Sequence, residues 1–462
     1  MSAPDTIEAE AETVVPAATL SALIADLGDV PVVTERKQVK RRSRDFYWYS
    51  PILNEELAGK FADVIVAPRT EADVVRTAAA CAKHRVPLTP RGAATGNYGQ
   101  CMPLHGGVLL DMNALDRIEW LKPGACRVGP GMVMSDMDAE TQEKGFELRM
   151  HPSTKRRATI GGFVAGGSGG IGSVTYGGLR EKGNILAARI VTMEETPRII
   201  ELRGDAAQNI NRAYGTTGII TALEMPLAPA WDWIELIVTF ETFGEAMVFA
   251  DDVAHADGIV KKLLSPIAWP LPTAFRAVRD ACPDGQAILI AMVAEASLES
   301  FRELLAGRGE ITLERPASDA PGQEPLYEYT WNHTTLQMLK GDRTVTYLQC
   351  LHPRSRALES VAEMAARFPD EILPHCEFIR FRGEVGVSGL PVVRFTTPER
   401  LNEIIAVHEA SGVTIANPHV ATLEDGGGEK RADADQLGFK RDVDPFGLLN
   451  PGKMRTYVPE RA

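Results

Sequence analysis

Between residues 62 and 100 the chain spells out a strand, a helix, a second strand and a glycine-bearing loop, and that order narrows the folds open to it. ADVIVAP is a short apolar run stopped by Pro68. TEADVVRTAAACAKHRV opens on Thr70, a natural N-cap, and carries its acidic residues in the first turn. Val74, Val75, Ala78, Ala79 and Ala82 then share one helical face, and Lys83, His84 and Arg85 close the C-terminal end. VPLTP is the next strand. Strand, helix and strand within about thirty residues make a βαβ unit. PRGAATGNYGQ follows at once, a loop suited to close approach by a ligand.

From about residue 100 to 229 the text changes. GGVLLDM, ACRVGPG, ATIGGFVAGGSGGIG, ILAARIVTM, PRIIEL and GIITALEMPLAP read as short β-rich pieces joined by glycine, a more antiparallel subdomain. Beyond 230, strand-like IELIVTF, AILIAMVA and TVTYLQCL alternate with helical GEAMVFADDVAHA, ESFRELLAG, ALESVAEMAARF and PERLNEIIAVHEAS. KRDVDPFGLLNPGKM near the end is turn-rich and unlike a helical terminus. The fold class expected is therefore α+β. A chain of 462 residues exceeds one ordinary core and divides into several domains.

Charge and cysteine usage exclude some functions. The formal net charge of −13 argues against nucleic acid as a main partner. The basic run Arg36, Lys37, Lys40, Arg41, Arg42 and Arg44 reads as a solvated stretch. Six scattered cysteines with no CxxC pair read as reduced thiols in a cytoplasmic protein and provide no zinc spacing, so no metal is expected. The acidic start has no secretory pattern, and no apolar run is long enough for a membrane span.

Gly167 to Gly172 is a literal GxGxxG, with Glu194 about twenty residues on. The SVTYGG that follows makes a poor first turn for a helix meeting a pyrophosphate, so a Rossmann site is not the reading. Glycine loops nevertheless recur at 91–99, 129–131, 161–172, 177–178 and 215–218. Such loops either tighten an antiparallel sheet or offer consecutive amides to phosphate oxygens, with Arg91 and Thr95 as side-chain donors.

In chain order, PRGAATG (90–96), TIGG (159–162) with Gly169-Gly170, Tyr176-Gly177 and Arg180, GTTGIIT (215–221) and DPFGLLNPGK (444–453) resemble the FAD-linked oxidase family. That family is named for vanillyl-alcohol oxidase and p-cresol methylhydroxylase and includes D-lactate and glycolate dehydrogenase-type enzymes. The resemblance implies a leader and aromatic arm over 1–60, a two-subdomain FAD-binding domain over 61–229, an α+β cap over 230–425 and a returning segment over 426–462. It also implies that FAD is held by Pro90, Arg91, Gly92, Ala93, Ala94, Thr95, Gly96 and Asn97, by Pro152, Ser153 and Thr154, by Thr159, Gly161 and Gly162, and by Gly215, Ile219, Ile220 and Asn450. Members with covalent flavin often carry histidine where Thr95 stands, so noncovalent FAD is expected here. Ala93 and Ala94 replace the family's usual glycines, and Ala213-Tyr214 replaces its usual Ser-Glu.

Oxidising an alcohol requires removal of the hydroxyl proton as hydride leaves carbon, and histidine is a natural partner. His419, in NPHVATLED where many members carry HxGDGNxH, is the first candidate base; the alternative is a turn-closing structural histidine. YEYTWNHTTLQML supplies Tyr329, Asn332 and His333 as an aromatic wall with polar anchors, or as core. Alternation in EFIRFR would put Arg380 and Arg382 on one strand face as a carboxylate clamp. Tyr47, Trp48 and Tyr49 would pack over the flavin or the substrate entrance, or merely anchor the leader.

The expected activity is FAD-dependent oxidation of a small hydroxylated substrate, with a 2-hydroxy acid slightly favoured. An aromatic alcohol or phenol is the alternative, as is a non-redox FAD enzyme resembling ether-lipid synthases. The electron acceptor stays open between oxygen, a quinone and a redox protein, and the chain is compatible with a homo-oligomer.

Overall fold

Thr70 caps its helix as the sequence predicts, and the structure adds a full capping box. Thr70 Oγ1 accepts from Asp73 N, the Asp73 side chain accepts from Thr70 N, and helix Glu71–His84 follows. This computed structural model describes residues 14–167, 169–427 and 434–459. The first sheet contains β1 (Val32–Val33), β2 (Val64–Val66), β3 (Leu88–Arg91) and β4 (Val108–Asp111), in the order β1-β2-β4-β3. β2 and β3 both run parallel to β4, which lies between them. β3 therefore ends with its last residue, Arg91, feeding straight into the glycine loop.

The second sheet is antiparallel. It contains β5 (Ile118–Lys122), β6 (Ala125–Val128), β7 (Phe146–Leu148), β8 (Ala187–Val191), β9 (Ile199–Arg203) and β10 (Ile219–Pro229). β10 is its spine, pairing with β6, β7 and β8. One stretch read as strand is not strand: residues 160–166 form helix Ile160–Gly166. Its glycines are set by packing rather than propensity, since a Cβ on Gly161 would lie 2.5 Å from Pro130 Cβ.

In the region expected to form the cap, a third sheet has the order β12-β13-β11-β14, built from β11 (Trp233–Phe240), β12 (Lys261–Ile267), β13 (Ala287–Ala294) and β14 (Glu310–Pro316). β13, AILIAMVA, is buried along its whole length because both faces are covered. Leu289, Ala291 and Val293 meet helices Phe243–His255 and Leu298–Leu305. Ile288, Ile290 and Met292 join Phe275, Tyr329, Tyr347, Tyr98 and Tyr214, so this core runs from the cap into the other half of the molecule.

Two smaller sheets complete the cap. They use β15 (Val345–Tyr347), β16 (Cys350–Leu351), β17 (Ile372–Leu373), β18 (Cys376–Phe381), β19 (Glu384–Gly389), β20 (Val392–Arg394) and β21 (Thr414–Ile415). The orders are β15-β20-β17 and β18-β19-β16-β21, so TVTYLQCL, read as one strand, splits between two sheets. The chain then returns: Leu88 N donates to Leu448 O, and Asn450 N donates to Leu88 O, both at 2.8 Å. Residues 440–443, read as turn, instead end helix Ala434–Val443.

Buried charges lie along the seam between the two halves. Lys155 Nζ stands 2.6 Å from both Asp138 and Asp319, and Lys262 Nζ 2.8 Å from Glu147. His151 packs edge-on against Tyr327 beside them. Burial, then the charges of Lys155 and Lys262, push its pKa down from 6.5 to about 3. As pH falls through that window the unfolded chain binds a proton that the folded chain refuses, so stability falls with it. Thermal unfolding should therefore show an apparent Tm that drops from about pH 7 to about pH 4, with a visibly shallower slope in His151→Gln. Parallel slopes in the two proteins would contradict this.

Candidate functional site

The β3 loop, the glycine-rich turns and the cap enclose one cavity of about 790 Å³, a volume suited to a large organic ligand. Pro90, Arg91, Gly92, Ala93, Ala94, Thr95, Gly96 and Asn97 all line it. So do Pro152, Ser153, Thr154, Thr159, Gly161, Gly162, Gly215, Ile219 and Ile220. Among the described residues, the main-chain amides of residues 93–97 donate to no protein acceptor. Ala94 reaches this geometry with φ 55, in a conformation that costs alanine strain.

Thr159 Oγ1 supplies the most direct sign of an anion. It is buried without a hydrogen-bond partner, although Thr159 stands at an N-cap. A Cβ on Gly92 would lie 2.1 Å from this hydroxyl, and one on Gly162 would lie 3.1 Å away. The two glycines keep open the space into which Thr159 and the free amides point. Arg91 adds a guanidinium whose Nη1 donates to Arg42 O, while its Nε has no partner. Donors without acceptors, converging on a glycine-lined wall, fit a pyrophosphate.

The cap wall is made at the start of helix Asn332–Leu339. Trp331, Asn332 and His333 all line the cavity, as do Trp48 and Tyr49 of the N-terminal arm. His333 Nδ1 lies 3.4 Å from Glu328 Oε2, and Arg156 Nη2 lies 2.7 Å from Glu328 Oε1. Burial lifts the Glu328 pKa, but His333 and Arg156 outweigh it and hold the carboxyl below its usual range. Tyr98 is pushed up to about 12 by burial, against hydrogen bonds to Tyr347 and Asn332 and the charge of Arg212. It is therefore a neutral phenol throughout the physiological range.

Other sequence-predicted residues stand elsewhere. His419 is buried outside the cavity wall, with Nδ1 2.8 Å from Ser50 Oγ and Nε2 2.9 Å from Tyr347 O, so it ties the arm to the cap. Tyr329 is core: it packs on Phe275 and donates to Glu324. Arg380 and Arg382 do not form a pair, because β18 ends at Phe381 and Arg382 is a hairpin-turn residue with φ 53. Arg380 lines the cavity, but its guanidinium is bound to Asp257 at 2.9 Å. Asn450 lies behind the wall and staples it, donating to Gln100 O and Tyr214 O at 2.8 and 2.7 Å.

Sequence reasoning passed over Arg212, Tyr98 and Gln349, which all line the cavity, although the unusual Ala213-Tyr214 marked the neighbourhood. Ala94, Arg212, Tyr214 and Trp331 are all non-glycine residues at positive φ on this wall. Strain of that kind gathers at functional sites. Among the described residues no cluster of three metal-ligating side chains occurs.

Residues 62–200 match a family described as the FAD binding domain. The chain is 25% identical to glycolate oxidase subunit GlcD of Bacillus subtilis over 435 residues, which cover 85% of this chain and 88% of that one. It is 32% identical to D-2-hydroxyglutarate dehydrogenase of Escherichia coli over 168 residues, 33% of this chain and 16% of that one. Among solved structures it superposes on alkyldihydroxyacetonephosphate synthase with a TM-score of 0.69 at 15% identity, covering 97% of this chain and 86% of that one, a likeness of fold.

If Thr159 donates to the FAD pyrophosphate, Thr159→Val loses a hydrogen bond to a charged group, about 1.5–3 kcal/mol. Fluorescence titration of apoprotein should then give FAD affinity roughly ten- to a hundredfold weaker, and Gly92→Ala should weaken it at least as far. Unchanged affinity in both would remove the assignment. The free amides, the orphaned threonine and the matches agree on an FAD-binding domain over residues 62–200, in a chain similar to FAD-linked oxidases of the D-lactate and glycolate type.

Proposed function

We propose that the protein takes a hydride from the carbinol carbon of a small 2-hydroxy acid and holds its FAD noncovalently. The charge of the cavity wall carries this reading. Arg91, Arg156, Arg157, Arg180, Arg212 and Lys340 line it beside Asp45, Glu181 and Glu328, while Arg380 is paired with Asp257, in a chain whose net charge is −13. A pyrophosphate accounts for part of that positive excess, and an anionic substrate accounts for the rest.

FAD, when bound, supplies the two-electron acceptor. The remaining work belongs to side chains. His333, oriented by Glu328, takes the hydroxyl proton as the carbon–hydrogen bond breaks. Arg212, whose charge opposes the rise that burial gives the Tyr98 and Tyr214 pKa values, receives the carboxylate with those neutral phenols as donors. This differs from the clamp suggested by EFIRFR, whose arginines are committed elsewhere. The aromatic lining by Trp48, Tyr49 and Trp331 favours a second reading, an aryl-bearing alcohol.

Anaerobic stopped-flow mixing separates the two readings. Bleaching of the flavin band by 2-hydroxy acids at rates at least tenfold above those with benzylic alcohols is expected, and the reverse order would replace the first reading with the second. Acid precipitation tests the cofactor linkage separately. The loop offers Thr95 in place of an attachable histidine, so the yellow colour should stay in the supernatant, and a yellow pellet would refute noncovalent binding.

A further inference from the structure

Trp331 has φ 53 and ψ −140, a main-chain conformation that tryptophan adopts only under constraint. The constraint comes from across the cap. Trp331 N donates to Glu377 Oε1 at 2.7 Å, and Glu377 is 1% exposed. Ser265 Oγ donates to the same oxygen at 2.9 Å, and His375 Nε2 stands 2.9 Å from it. Thr334 Oγ1 lies 3.4 Å from that ring nitrogen, so the network grips the first turn of the helix twice.

The grip lies beneath a working surface. The Trp331 ring sits against the glycine-rich turn of the FAD-binding half, where a Cβ on Gly169 would fall 3.0 Å from its Cη2. Asn332 and His333 are the next two residues, and all three line the cavity. A strained residue at the head of a helix fixes the direction in which its successors point. A buried carboxylate is costly, and the one main-chain amide this carboxylate receives is that of Trp331, a residue of the cavity wall.

We propose that Glu377, braced by Ser265 and His375, is a positioning residue that holds Trp331, Asn332 and His333 as one unit facing the substrate. The proposal rests on the hydroxy-acid oxidation inferred above, with His333 as proton acceptor. Neither Glu377 nor Ser265 lines the cavity, so neither touches substrate or cofactor.

Glu377→Leu, Glu377→Gln and Ser265→Ala test it in the FAD-loaded full chain. Glu377→Leu should keep wild-type FAD stoichiometry and wild-type reduction by dithionite, while its limiting rate of flavin reduction by 2-hydroxy acid falls at least tenfold. Glu377→Gln retains an acceptor oxygen and should recover to within about threefold of wild type. Hydrogen–deuterium exchange over residues 330–340 should rise in Glu377→Leu and stay near wild type in Glu377→Gln. Wild-type substrate-driven reduction and exchange in Glu377→Leu would overturn the proposal. If the leucine variant does not fold, Ser265→Ala decides: faster exchange over the same segment with a slower substrate-driven step supports the clamp, and no change in either overturns it. If wild-type flavin is reduced by no hydroxy acid, the functional reading fails, whereas unchanged exchange in the variants fails the clamp alone.

Discussion

Lys155 is buried between two carboxylates from different halves of the molecule, Asp138 of the FAD-binding half and Asp319 of the cap, with Nζ 2.6 Å from each. Close by, Glu147 accepts from Lys262 Nζ and from Trp233 Nε1 of the cap at 2.8 and 2.7 Å. Removing one partner from such a buried pair costs about 3–5 kcal/mol, because the other charge is left in a medium that cannot solvate it. That penalty gives the seam little freedom to slide: each lysine is satisfied in one relative position of the halves. The cavity is the space this position leaves, so its shape depends on charges that never face it.

Within that frame the two halves divide the work. The FAD-binding half contributes main-chain donors, and glycine is used where another atom would intrude. Gly92 keeps clear of Thr159, Gly161 of Pro130, and Gly170 of His151 O, which a Cβ would approach to 2.1 Å. The cap contributes side chains instead, presented from a helix start and a hairpin.

Legibility in the sequence follows the same division. The Thr70 N-cap, the run of β13 and the DPFGLLNPGK turn were readable because each is a local signal with a local cause. The glycine loops were readable as a set of turns, and most of them line one cavity, even though Ile160–Gly166 proved helical. Side-chain roles that depend on distant partners were not readable. Arg382 obeys the alternation of its strand until a two-residue turn with Gly383 takes it out of register. His419 is polar and follows a proline, as a site residue can, but Ser50 lies 369 residues away in sequence and claims its ring. Glu377 sat in plain view beside those arginines, and only the positive φ of Trp331 reveals what it does.

Ala94 and Tyr214 show that departures from a family's usual residues need not weaken a site. Both take positive φ where glycine would be free, and both lie on the cavity wall. Strain of about 1–3 kcal/mol at each persists only if neighbours over-determine the conformation. At Tyr214 they do: Asn450 Nδ2 donates to its carbonyl, its own N donates to Ala165 O, and its ring lies in the core shared with Tyr98 and Tyr347. The phenol gained there adds a neutral donor beside Arg212, which glutamate at that position would replace with a second negative charge. Replacing the acid raises the positive potential of the wall, so the departure at Tyr214 and the cationic lining work in the same direction.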